Sequence, residues 1–109
     1  MNLVELILDT SKIADHFHKT RTRNSVMNAT TAELGELAEE VNIAEGASYK
    51  EAGPDGVKGE AIDLIISGLD LLYVDDRNVT EAELIAIARP KLEKWITKIM
   101  QAHGEGKLK

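Results

Sequence analysis

Residues 59–73 read Gly59-Glu60-Ala61-Ile62-Asp63-Leu64-Ile65-Ile66-Ser67-Gly68-Leu69-Asp70-Leu71-Leu72-Tyr73. Wound into a helix, this stretch is apolar around most of its circumference, while Glu60, Asp63, Ser67 and Asp70 fall on one narrow polar stripe. A helix of that character belongs in a core or an interface. Carboxylates are expensive there, because an unpaired buried acid costs several kcal/mol or takes up a proton instead. The stripe holds no lysine or arginine of its own. Its charge must be met from elsewhere, either by a divalent ion that organises several acids at once or by ion pairs with Arg21, Arg23 or the C-terminal lysines.

The preceding helical pattern, over about residues 29–45, supplies more acids. Leu34, Leu37, Ala38 and Val41 form its apolar side, and at 100° per residue Glu33, Glu36 and Glu40 gather in a stripe beside that side, with Glu39 turned further toward solvent. Thr30-Thr31-Ala32-Glu33 also fits a capping box, which would give Glu33 a purely structural role at a helix start. The pairs Glu33 with Glu36 and Glu60 with Asp63 each have i, i+3 spacing. If their two helices pack together, the four carboxylates make an oxygen-only cage suited to Mg²⁺ or Mn²⁺, with Glu40 and Asp70 as auxiliary candidates. Di-iron chemistry is disfavoured, since neither helix carries the Glu-x-x-His pair that such bundles use.

Outward from these helices, residues 2–18 form an amphipathic helix with Leu3, Leu6, Ile7, Ile13, Ala14 and Phe17 on one side. It runs into His16, His18 and a basic segment with Lys19, Arg21 and Arg23. The segment reads first as a solvated connector whose cations lie near a helix C-terminus, and second as a source of phosphate contacts. Residues 49–58, with Gly53-Pro54-Asp55-Gly56, read as a turn-rich loop. Thr80-Glu81-Ala82-Glu83 predicts the cap of a last helix, interrupted or restarted at Pro90, on which Lys91, Lys94 and Lys98 share a face. Residues 104–109 read as a tail.

The 109 residues predict one all-α domain, a bundle of four to five helices. Aromatics make up 4%, so the core must be aliphatic. Nineteen acidic residues against thirteen basic ones argue against a nucleic-acid polymer as partner, since a basic face is needed to displace its counterions. The absence of cysteine excludes disulfides, zinc–thiolate sites and cysteine nucleophiles. Residues 1–8 lack the basic start and cleavage site of a signal peptide, and no apolar run reaches membrane-spanning length, so the expected compartment is the cytoplasm with no membrane association. A third helix apolar nearly all round exceeds what one small protomer covers, which predicts completion of the bundle by homo-oligomerisation.

The arrangement Glu33-x-x-Glu36, a loop, then Glu60-x-x-Asp63 on an apolar helix resembles the MazG-like branch of the all-α nucleoside triphosphate pyrophosphohydrolases. The similarity is firmest over residues 30–73, in Ala32-Glu33-Leu34-Gly35-Glu36-Leu37-Ala38-Glu39 and Gly59-Glu60-Ala61-Ile62-Asp63-Leu64. The resemblance implies hydrolysis of a nucleoside triphosphate between its α and β phosphates. Glu33, Glu36, Glu60 and Asp63 carry over as Mg²⁺ ligands, and Glu33 or Glu36 as the group that orients or deprotonates water. Lys91 and Lys94 match the place of phosphate-facing residues in the family's last helix, and Arg21, Arg23 and His16 are further substrate candidates because the first helix ends near the acids. Ala32 stands where many members have another glutamate, and Pro90 and Trp95 fit the common pattern poorly. The expected state is a homodimer or homotetramer. Phosphoribosyl-ATP hydrolysis on a related scaffold, or a noncatalytic helical module with structural acids, are the competing readings.

Overall fold

A computed structural model describes residues 1–104 and shows four helices, with no strand among the described residues: α1 (Leu3–Phe17), α2 (Arg23–Ala44), α3 (Gly56–Asp75) and α4 (Glu81–Gly104). The expected all-α architecture is present with four helices rather than five. Of the tail expected over 104–109, everything past Gly104 lies outside the described residues. The chain groups into two compact units, residues 1–78 carrying α1 to α3 and the remainder from Val79 carrying α4. Among the described residues no helix is long and apolar enough to cross a membrane.

In the first unit α3 is the central element, packed against both α2 and α1. Ile7 and Leu8 from α1, Val26 from α2, and Tyr73 and Val74 from α3 are the buried apolar residues. Local sequence sets each boundary. Asn2 starts α1 by accepting the Glu5 amide at 2.9 Å. Glu45 caps α2, Gly46 follows at φ +76°, and Ala47 N–H reaches Asn42 O at 2.8 Å. This is the helix-ending motif that needs a left-handed residue, for which glycine has no steric penalty.

The largest difference from the sequence reading is the start of α2, at Arg23 rather than near residue 29. A reciprocal capping box forms at Thr22 and Ser25, whose side chains accept each other's backbone amides at 3.1 and 3.0 Å. Serine in place of the usual glutamate, flanked by Asn24 and by Asn28, Thr30 and Thr31 with weak helix propensity, masks this start in the sequence. Thr30 is therefore two turns inside the helix, and its hydroxyl donates to Val26 O at 2.8 Å. The capping role considered for Glu33 does not arise. Arg23 sits in the first turn of α2, not near a helix C-terminus, and offsets that dipole-unfavourable place by pairing with Asp75 at 3.2 Å.

Arg21, on the connector between α1 and α2, ties the first unit together. Its Nε donates to Asp15 Oδ1 at 3.0 Å, one terminal nitrogen to Asp70 Oδ2 at 2.6 Å, and the other to Ser11 O at 3.1 Å. Arg77 joins the network through Asp15 Oδ2 at 2.6 Å and Arg21 O at 3.2 Å. These side chains retain only 16% (Arg21), 18% (Asp15) and 21% (Asp70) of their accessibility, so solvent screens the pairs far less than surface ones.

In the second unit Thr80 caps α4 by accepting the Glu83 amide at 3.2 Å, as the sequence predicts. The helix then runs through Pro90 without restarting. None of its residues is buried: Leu92, Trp95, Ile96 and Ile99 are exposed, and in the first unit so are Ile62, Ile65, Ile66 and Leu72 of α3. The near-complete burial expected for α3 is thus not reached within this chain.

Candidate metal centre

The helices α2 and α3 run antiparallel, so residues climbing one meet residues descending the other. Thr30 Oγ1 and Ser67 Oγ lie 2.7 Å apart. One turn further along α2, Glu33 feels the charge of Asp63, and the next step brings Glu36 to Glu60. The i, i+3 spacing on each helix and the antiparallel match between them place all four predicted acids at one locality.

Oxygen atoms of Glu33, Glu36 and Glu60 lie within 4.8 Å of one another, and a second set of the same span joins Asp55, Glu60 and Asp63. Glu60 belongs to both sets. Asp55 was not anticipated, because Gly53-Pro54-Asp55-Gly56 reads as part of a turn-rich loop. It occupies the N-cap position of α3, yet its side chain makes no capping hydrogen bond and is left for the cluster. Two glycines permit this. Gly56 adopts φ +63°, and a Cβ on Gly59 would stand 2.4 Å from Asp55 Cβ.

The cluster is electrostatically strained. Glu33 Oε2 and Glu60 Oε2 are buried oxygens without a hydrogen-bond partner. Loss of water raises the pKa of Glu33 above its ordinary 4.5, and the charges of Glu36 and Asp63 raise it further. Glu60 is raised likewise, by desolvation first and then by Glu36, Asp63 and Asp55. Two oxygens on one Mg²⁺, each about 2.0–2.1 Å from it, lie at most about 4.2 Å apart. Cis oxygens on an octahedral ion are closer still, about 2.9 Å apart, so either set would draw in by up to about 2 Å to hold a divalent ion with all three ligands. A hard cation is the ligand that orphaned carboxylate oxygens in a polyanionic cluster best accommodate.

A pH dependence follows. A carboxyl whose folded-state pKa is raised keeps its proton in the native state where the unfolded chain has already lost it, so stability falls as pH rises from about 4.5 through the folded values. Asp15 acts in the opposite sense and in a lower window. Its hydrogen bond to Arg77, followed by contact with Arg21, outweighs desolvation and holds it below 3.8, so its contribution is lost as pH falls through that lowered value. In chelator, the melting temperature should therefore be higher at pH 5 than at pH 7.5, and excess Mg²⁺ should narrow the gap. Equal melting at both pH values in chelator would contradict the assigned strain.

The remaining sequence candidates lie elsewhere. Glu40 is buried and accepts the Gly53 amide at 2.7 Å, fastening the loop that leads to Asp55. Asp70 is paired with Arg21, whose nitrogens are thereby engaged. Arg23 is exposed and bound to Asp75. His16 is exposed and stacks edge-on to Phe17, with ring centres 5.0 Å apart. Lys91 and Lys94 are exposed on α4 in the second unit. A cleft of about 460 Å³ in the first unit opens beside the acids and shares Glu33 and Asp63 with them.

No protein-family model, curated protein or solved structure matches the chain.

Proposed function

We propose that the chain is a Mg²⁺- or Mn²⁺-dependent nucleoside triphosphate pyrophosphohydrolase of the MazG-like kind, with a role in clearing nucleotides from the pool. The observation that carries this reading is the meeting of Glu33, Glu36, Glu60 and Asp63, joined by Asp55, beside a cleft of ligand size. A bound divalent ion would neutralise phosphate charge and favour a nucleophilic hydroxide. In the reaction the oxygen of water bonds to phosphorus, the P–O bond bridging the α and β phosphates breaks, and a proton is released as monophosphate and pyrophosphate part. Glu33 and Glu36 are the candidate acceptors of that proton, and the raised proton affinity of Glu33 makes that carboxylate a stronger base.

The exposed apolar residues of α3 and α4 favour association of copies into a homodimer or homotetramer. Pyrophosphate release from a panel of canonical and modified nucleotides, with phosphoribosyl-ATP included, tests the reading. Turnover of several triphosphates with Mg²⁺ or Mn²⁺ is the expected result. Turnover of phosphoribosyl-ATP alone would select the related hydrolase. No turnover, together with no Mg²⁺-dependent rise in melting temperature, would leave a helical interaction module with structural acids.

A further inference from the structure

Glu40 is the buried acid of α2, and its setting is expensive. It retains 8% of its accessibility, and among the described residues no cation pairs with it. A buried carboxylate without a counter-charge persists only where hydrogen bonds satisfy it. Oε1 accepts from Gly53 N–H at 2.7 Å, the short distance of a charge-assisted bond. A Cβ on Gly53 would stand 2.7 Å from the same oxygen, so the carboxylate is seated directly against bare backbone. Its neighbour Glu39 holds the same loop from outside, through Lys50 at 2.6 Å, but both of those side chains are exposed and such a pair contributes little.

Gly53 lies two residues before Asp55. Pro54 between them locks its own φ at about −65°, which removes one of the few dihedrals through which Asp55 could move relative to the anchored amide. On the other side, Gly59 N–H donates to Asp55 O at 3.1 Å, and the lack of a Cβ on Gly59 leaves room for that of Asp55. Asp55 is therefore held from α2 and from the first turn of α3, with its side chain free of capping duty and an oxygen within 4.8 Å of those of Glu60 and Asp63. Holding a third acid beside two others works against their mutual repulsion, so an anchor is required wherever no cation is present.

We propose that Glu40 is a positioning residue of the metal centre: through the Gly53 amide it holds Asp55 beside Glu60 and Asp63, and thereby sets the affinity of that set for a divalent ion. Glu40 itself touches neither ion nor substrate. Partners that orient metal ligands typically account for about 10- to 100-fold in affinity. The inference rests on the metal reading above, and assigns to it a residue that the helical pattern groups with Glu33 and Glu36 as a ligand.

Calorimetric titration of Mn²⁺ into the metal-free full chain compares the wild type with Glu40→Leu, Asp55→Asn and the double variant. Leucine favours helix and replaces a buried charge with apolar volume, so the fold is expected to survive. Glu40→Leu should weaken Mn²⁺ binding by about tenfold or more, and Asp55→Asn by at least as much. The double variant should match Asp55→Asn within about twofold, because Glu40 acts only through Asp55. Glu39→Ala, which releases only the outer tether, should change the affinity by less than about twofold. An affinity unchanged in Glu40→Leu, no effect of Asp55→Asn, losses that add in the double variant, or a loss in Glu39→Ala equal to that in Glu40→Leu would overturn the inference. Should Glu40→Leu not fold, Gly53→Ala leaves α2 unaltered and puts a methyl group 2.7 Å from the Glu40 oxygen, and the same outcomes apply to it. Backbone order parameters of Asp55 and Gly56 in metal-free protein separate this inference from the metal reading. A fall from about 0.85 to below about 0.6 is expected in Glu40→Leu, and no fall overturns the inference whether or not an ion binds. If the wild type binds no Mn²⁺, the metal reading fails by itself, and the order parameters alone decide whether Glu40 holds Asp55.

Discussion

Glu60→Gln is expected to lower Mg²⁺-dependent pyrophosphate release by about 100-fold or more, while raising the melting temperature of the metal-free protein at neutral pH. Both effects have one origin. Glu60 is the acid common to the Glu33–Glu36–Glu60 and Asp55–Glu60–Asp63 sets, so neutralising it removes a ligand from each. Changing residues that merely support metal ligands typically costs 10- to 100-fold in affinity or activity, and loss of a ligand should do no less. In the absence of metal, however, Glu60 is a desolvated carboxylate surrounded by Glu36, Asp63 and Asp55, with one buried oxygen unpartnered. Glutamine keeps the shape and removes the repulsion. The melting rise produced by excess Mg²⁺ in the wild type should shrink or vanish in the variant, because a ligand stabilises only the state that binds it. A variant less stable than wild type in chelator, or one that gains as much from Mg²⁺ as the wild type, would sink the assignment of Glu60 as a shared ligand.

Arg21→Met is expected to cost about 2–4 kcal/mol of folding stability, the largest effect of any single change outside the acid cluster. The guanidinium joins the connector to Asp15 and Ser11 O of α1 and to Asp70 of α3, all in a partly buried setting. Removing it leaves Asp70 without a cation, whereas Asp15 keeps Arg77. Desolvation alone would lower the Arg21 pKa, but Asp70 and Asp15 overcome it and raise the value, so the charge persists at every accessible pH. Lysine is a poor substitute because it cannot present three nitrogens in a planar fork. Urea unfolding of Arg21→Met, Asp70→Leu and the double variant measures the effect. The double variant should recover part of the loss, since the uncompensated charge is gone. A loss below about 1 kcal/mol in Arg21→Met would place this network with ordinary surface ion pairs.

Helix type and number were legible because apolar period is a local property of the chain. The Glu33, Glu36, Glu60 and Asp63 constellation was legible for a related reason: i, i+3 spacing fixes a common face before any packing is known. What the pattern could not convey depends on contacts made across sequence distance. Arg21 appears in the sequence as one cation in a basic run, and its partner Asp70 lies 49 residues away. Asp55 looks like one residue of a turn-rich loop until its side chain is found uncommitted at the entrance of α3 beside the cluster. The early start of α2 was hidden for a different reason, since Ser25 closes the capping box with a hydroxyl where a glutamate would have been conspicuous. Glu40 stands with Glu33 and Glu36 in the helical pattern, but the loop residue Gly53 claims it instead.

The contact between Thr30 and Ser67 has a consequence for how the chain can change. A slip of one helix along the other by a single turn displaces side chains by about 5.4 Å, more than the 4.8 Å span of either acid set. The hydroxyl pair therefore acts as a key that only one alignment of the hairpin accepts. With alignment stored in the shafts of the helices, the tip can vary. Insertions between Ala47 and Tyr49, beyond the Ala47–Asn42 closure of α2 and ahead of the Gly53 fastening, would meet mainly the slow growth of loop entropy, about 0.6 kcal/mol for each doubling of length. The same carboxylates could thus persist through lineages whose hairpin tips differ in length and sequence.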